Sequence, residues 1–117
     1  MKISERLSSV KYAVKGCYHL IKNEASIKIQ VVIAIIMTIV GFYFDLSSTE
    51  WILQCLAIGL VLGIEGLNTA VEELCNYVQP NFDEKIGRIK DISAGAVTFA
   101  AITAVIIGCI IYLPKLF

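Results

Sequence analysis

The chain has 117 residues, of which 57% are apolar and 17% charged. Average soluble domains are about 45–50% apolar and about 25% charged, and a small domain exposes much of its surface. The composition therefore excludes a free-standing soluble globule, and it is equally wrong for a disordered chain. Ten Lys and Arg balance ten Asp and Glu, so there is no net basic field to hold nucleic acid, and no such partner is expected. The four cysteines, Cys17, Cys55, Cys75 and Cys109, lie far apart beside a single histidine, His19. They read as small buried apolar residues rather than as a zinc site or a disulfide framework.

The N-terminal stretch is basic but has no apolar core before residue 29, so it does not read as a secretory leader. Instead Ile3, Leu7, Val10, Val14, Tyr18 and Ile21 recur every three or four residues, with Lys2, Glu5, Ser8, Lys11, Lys15 and Lys22 largely on other faces. This predicts an amphipathic helix over about 3–22 that lies in a membrane interface. Three uncharged runs follow: Ile29 to Phe44, Trp51 to Ile64 and Ile92 to Pro114. A helix needs about 20 mostly apolar residues to cross a bilayer. Three transmembrane helices are therefore predicted, over about 28–44, 51–71 and 92–113. The second spans only by carrying Glu65 and Asn68 into the membrane. The expected fold is an all-α membrane protein, a single domain over 1–117.

Orientation follows from the basic residues. Lys2, Arg6, Lys11, Lys15, Lys22 and Lys28 precede the first span, Lys85, Arg88 and Lys90 lie in the 72–91 loop, and only Lys115 lies elsewhere. The N-terminus and the 72–91 loop are thus expected in the cytoplasm and the C-terminus outside. Gly59 and Gly63 form a GxxxG step, and Ala96, Ala100, Ala104 and Gly108 form a stripe of small residues. Both suit close helix approach, and self-association is their expected use.

Glu65, Asn68 and Glu72 are spaced by three and four residues, so they share one stripe of the second span. An intramembrane carboxylate is costly and signals function. Asn23 and Glu24 before the first span, and Lys90 and Asp91 before the third, fall at the same depth. Carboxylates beside amide oxygens suit Mg²⁺, and Arg88 and Lys90 complement phosphate, though for either base taken alone ordinary positive-inside anchoring is the better reading. There is no Walker A loop, no Gly-rich nucleotide fingerprint and no Ser-His-Asp set.

At these residues the chain resembles the small prokaryotic integral-membrane diacylglycerol kinases and their undecaprenol kinase relatives. Asn23-Glu24-Ala25, the block Glu65-Gly66-Leu67-Asn68-Thr69-Ala70-Val71-Glu72 and the block Lys90-Asp91-Ile92-Ser93-Ala94-Gly95-Ala96-Val97 carry the likeness. The resemblance implies a homotrimeric kinase of a bacterial cytoplasmic membrane. It would pass the γ-phosphate of Mg-ATP to the hydroxyl of a lipid alcohol, with the site formed between subunits. By the same resemblance, Glu65 is the general base, Asn68 orders the site, and Glu24 and Glu72 hold the metal. Lys90 contacts phosphate, Asp91 belongs to the nucleotide site, and Tyr12 and Phe82 match aromatic positions near the adenine. Gln30, Asn76 and Asp83 depart from the family pattern, where glutamate, aspartate and histidine are frequent. The last block looks more like the undecaprenol kinase branch. The rival from another class is a small proton-coupled transporter with Glu65 as proton carrier.

Overall fold

The computed structural model describes residues 2–117. The chain forms four helices: α1 (Ile3–Asn23), α2 (Ala25–Tyr43), α3 (Ser48–Val78) and α4 (Glu84–Leu116). α2, α3 and α4 are each long and apolar enough to cross a bilayer. Lipid offers backbone N–H and C=O groups no partners, so an uncharged run there must satisfy them internally, as a helix.

The helices extend beyond the charge-free runs. α3 has 31 residues, roughly 46 Å at ~1.5 Å per residue. α4 has 33 residues, roughly 50 Å, against a hydrocarbon core of about 30 Å. The 72–91 stretch is consequently helical at both ends, and only residues 79–83 separate α3 from α4. Two local devices set that gap. Pro80 disfavours helix at the residue before it, and Gln79 is extended (φ −147°, ψ 96°). Asp83 then caps α4, its Oδ1 accepting from the backbone N–H of Lys85 at 2.9 Å and of Ile86 at 3.1 Å. α2 starts immediately after α1, because a single extended residue, Glu24 (φ −102°, ψ 116°), ends one helix and opens the next.

The turn between α2 and α3 closes as a Schellman motif. The N–H of Leu46 reaches Gly41 O at 3.2 Å, and that of Asp45 reaches Phe42 O at 3.3 Å. Asp45 supplies the left-handed residue (φ 53°). Ser47 caps α3, its hydroxyl accepting from Glu50 N while the Glu50 carboxylate accepts from Ser47 N. Below this turn sits the main apolar cluster, Leu46, Ile111 and Tyr112, flanked by Met37, Val40, Trp51 and Ile107. It carries a polar network. Gln54 Nε2 donates to Met37 O at 3.0 Å, and the Tyr112 hydroxyl donates to Gln54 Oε1. Lys115 Nζ pairs with the Glu50 carboxylate at 3.1 Å.

α3 packs chiefly on α4, α2 packs on α3, and α1 touches α2. Two sequence expectations change here. Ala100 is buried within the chain and Ala104 and Gly108 line the cleft between α2, α3 and α4, so these three serve packing inside the protomer, while Ala96 is exposed. Gly59 and Gly63 have nothing facing them and stay open. Of the cysteines only Cys75 is buried; Cys17, Cys55 and Cys109 are exposed. Along α1 every side chain except half-buried Leu20 is exposed, including the apolar positions Ile3 to Ile21.

Gly41 is required by this hairpin. A Cβ there would lie 2.6 Å from Trp51 Cη2 and 3.1 Å from Leu46 Cδ1. Gly41→Ala is expected to destabilise the fold by about 1–3 kcal/mol, read as earlier loss of the Trp51 emission signal on denaturation.

Candidate active site

The end of the bundle away from the 44–47 turn collects polar side chains that lack partners. The buried stripe of α3 runs through Gln54, Ala57, Val61, Glu65 and Thr69, which brings Glu65 to the inward face with 9% of its surface exposed. Thr69 donates its hydroxyl to Glu65 O at 3.2 Å, a backbone contact that leaves the carboxylate free. One turn on, Asn68 is half-buried and its Oδ1 is enclosed without a hydrogen-bond partner. Buried acceptors are normally satisfied, so this oxygen awaits a donor. Glu72 continues the stripe to an exposed position.

The junction between α1 and α2 brings Glu24 to the same end. The last turns of α1 dock on α3. Leu20 Cδ1 would be 3.1 Å from a Cβ on Gly66, and His19 Nε2 lies 3.6 Å from Glu73 Oε1. Asn23 Nδ2 in turn bridges to His19 Nδ1 at 3.1 Å. Glu24 is half-buried, and its side chain makes no capping bond although it stands at the start of α2. None of Glu24, Glu65, Glu72 and Asp91 forms an ion pair among the described residues.

Lys90 and Asp91 enter from α4. Lys90 is half-buried and donates to Asn76 Oδ1, across the loop, at 2.6 Å. Asp91 is exposed. A hollow of about 190 Å³ beneath the 79–83 loop is lined by Phe82, Asp83, Gly87 and Lys90. Phe82 is 93% exposed and Tyr12, on α1, is 68% exposed, so neither is held against the carboxylates. No three acid, histidine or cysteine side chains converge on a metal position among the described residues. The donor chemistry nonetheless fits Mg²⁺, which is bound through one or two carboxylates together with substrate phosphates rather than by an all-protein cage.

Two features escaped the sequence reading. Gln54 and Tyr112 are uncharged and sit inside apolar runs. The signal for Gln54 was its place on the same helical stripe as Glu65. The His19–Glu73 contact joins residues far apart in the chain and had no local signal. The cleft between α2, α3 and α4, about 350 Å³, begins one turn from Glu65 at Val61 and Leu62, so the carboxylate borders apolar surroundings.

These features define a membrane protein whose helical bundle keeps unpaired carboxylates, an orphaned amide oxygen and a lysine at one end. The family model for prokaryotic diacylglycerol kinase matches residues 11–112. The chain is 31% identical over 115 residues to the undecaprenol kinase of Bacillus subtilis strain 168, covering 98% of this chain and 94% of that one. It is 29% identical over 105 residues to the diacylglycerol kinase of Escherichia coli K12, covering 90% and 86%. It is 28% identical over 111 residues to the diacylglycerol kinase of Haemophilus influenzae, covering 94% of each. The chain belongs to the prokaryotic diacylglycerol kinase family: it is a lipid kinase of a bacterial membrane, and it uses a nucleotide co-substrate.

Proposed function

We propose that the chain transfers the γ-phosphate of ATP, with Mg²⁺, to the hydroxyl of diacylglycerol or undecaprenol at the cytoplasmic face of the membrane. The observation that carries this reading is Glu65: a carboxylate on the inward face of an apolar helix, with no ion-pair partner among the described residues and an apolar cleft one turn away. Structural use of a buried carboxylate calls for a partner, whereas a base for a lipid hydroxyl must be free and within reach of the bilayer. Family membership favours the kinase over a proton-coupled transporter.

Phosphoryl transfer depends on positioning and charge neutralisation more than on covalent help. Glu65 accepts the proton of the lipid hydroxyl as that oxygen attacks the γ-phosphorus and ADP departs. Asn68 Oδ1 takes the donor it lacks and orders the acceptor. Glu24 and Glu72 hold Mg²⁺, which neutralises charge on the ATP phosphates. Lys90 binds phosphate, Asp91 belongs to the nucleotide site, and Tyr12 and Phe82 flank the adenine. Nine of the ten basic residues lie at or before this end of the chain's spans, which supports a cytoplasmic site. α1, with its apolar row uncovered, lies in the interface beside it. A homotrimer supplies what one protomer lacks. Three metal ligands do not converge among the described residues of one chain, and the open Gly59 and Gly63 face of α3 admits a neighbouring helix.

The deciding assay offers purified protein Mg²⁺ and labelled ATP with diacylglycerol, with undecaprenol or without lipid. Label is expected in a lipid product, and the lipid that accepts it names the branch; transfer to neither overturns the reading. Glu65→Gln is expected to lose turnover by at least about a hundredfold with the oligomer intact, and parental activity in that variant would remove Glu65 as base. Glu72→Ala is expected to raise the Mg²⁺ concentration for half-maximal rate or to abolish activity; an unchanged Mg²⁺ titration would exclude it as a ligand.

A further inference from the structure

Among the described residues of α1, Leu20 alone is not exposed. It seats on α3 at Gly66, where an added Cβ would lie 3.1 Å from Leu20 Cδ1 and, outside its own stretch of helix, would meet nothing else within 4 Å among the described residues. The neighbouring His19 makes a second contact with α3. Asn23 Nδ2 donates to its Nδ1 at 3.1 Å, which leaves Nε2 as the ring nitrogen that carries hydrogen, and Nε2 faces Glu73 Oε1 at 3.6 Å. Glu73 lies seven positions after Gly66, roughly 10 Å along a helix. Two adjacent residues of α1 therefore grip α3 on either side of the stretch that carries Asn68 and Glu72. A charge contact this exposed contributes little by itself, so the Leu20 seat is the stronger hold.

We infer that Leu20 is a positioning residue for Glu24: seated on Gly66, it fixes the junction of α1 and α2 against α3, and with it the level of the Glu24 carboxylate. Glu24 is tied by its backbone to both helices, its N–H donating to Leu20 O at 3.1 Å and its O accepting from Lys28 N at 3.0 Å. The peptide planes on either side are rigid, so φ and ψ of this one residue set the angle between α1 and α2. On the α2 side the junction is anchored by Ile27, which is 3% exposed; on the α1 side it is anchored by Leu20. The Glu24 side chain makes no capping bond, so its carboxylate goes where the junction puts it. A glycine at 66 makes the room, and a branched side chain there would displace Leu20. The proposal rests on the reading of Glu24 and Glu72 as Mg²⁺ ligands, whose orientation outer contacts of this kind control.

The test compares the full-length parent with Gly66→Leu, Leu20→Ala, the Leu20→Ala/Gly66→Leu double variant and Glu24→Gln. The main readout is the Mg²⁺ concentration for half-maximal binding of a labelled non-hydrolysable ATP analogue without lipid acceptor. Amide hydrogen exchange over residues 19–28 reports whether the junction is held. Leucine is a better helix former than glycine, so α3 itself is not weakened. Gly66→Leu is expected to raise the Mg²⁺ requirement about tenfold and to speed exchange at the junction. Leu20→Ala is expected to shift both in the same direction by a smaller factor, and it decides the matter alone should Gly66→Leu not assemble. The double variant moves the bulk from one helix to the other and is expected to recover most of the loss. Parental Mg²⁺ dependence in either single variant overturns the proposal, as does a Gly66→Leu loss that Leu20→Ala leaves unrelieved. If those results come while Glu24→Gln raises the Mg²⁺ requirement or abolishes binding, the Leu20 role alone fails; if Glu24→Gln binds the analogue at the parental Mg²⁺ concentration, the ligand reading fails first and this proposal with it.

Discussion

The structure depends on α3 being one unbroken rod longer than the membrane is thick. Its 31 residues exceed a hydrocarbon core of about 30 Å by several turns, and both ends are tied to other helices. At the 44–47 turn, Gln54 binds Met37 O and Tyr112, and Glu50 binds Lys115. At the other end, Gly66 receives Leu20, Glu73 faces His19 and Asn76 holds Lys90. Glu65 lies eleven positions after Gln54, roughly 16 Å along a helix. With continuous helix between them, anchoring the first sets the depth of the second. In the proposed reading, Glu65 as a base must meet a lipid hydroxyl at one level of the bilayer, and such a ruler would serve it.

The two ends spend their polar groups differently. At the turn every polar side chain inside the cluster is satisfied, as a buried network must be if it is to stabilise. At the opposite end, among the described residues, Asn68 Oδ1 is enclosed without a partner and the carboxylates of Glu24, Glu65 and Glu72 form no ion pair. Unsatisfied buried polar groups cost free energy. A chain that completes its network at one end and leaves it open at the other has placed its cost where, in the proposed reading, ligands or a second subunit would complete the bonding.

The sequence made the membrane legible but not the helix ends. Runs without charge mark where hydrocarbon lies, and a helix continues into water until something stops it. For α3 that is Gln79 before Pro80, and for α4 the start is the Asp83 cap, eight residues or so ahead of the charge-free run. The Glu65, Asn68 and Glu72 stripe was legible because spacing of three and four on a helix is decisive on its own. Gln54 with Tyr112, and Lys90 with Asn76, were not, since each pairing is made by tertiary packing across a turn or loop. The alanine stripe shows a third kind of gap. Small residues announce that backbones approach closely, and Ala100 meets its own chain rather than a second copy.

Lys115 and Lys90 show how the same ammonium serves opposite ends. Lys115 meets a carboxylate, Glu50, at 3.1 Å, and so joins the last turn of α4 to the first of α3 as a neutral pair. Lys90 meets an amide at 2.6 Å, which restrains the side chain while leaving its charge to act on whatever enters. A neutral pair suits an end that only has to hold together. The lysine at the other end stands beside carboxylates that form no ion pair among the described residues. In the proposed reading, a metal-bearing polyphosphate would bring together these opposite charges kept apart at one boundary: the metal would answer the acids and the phosphates the lysine.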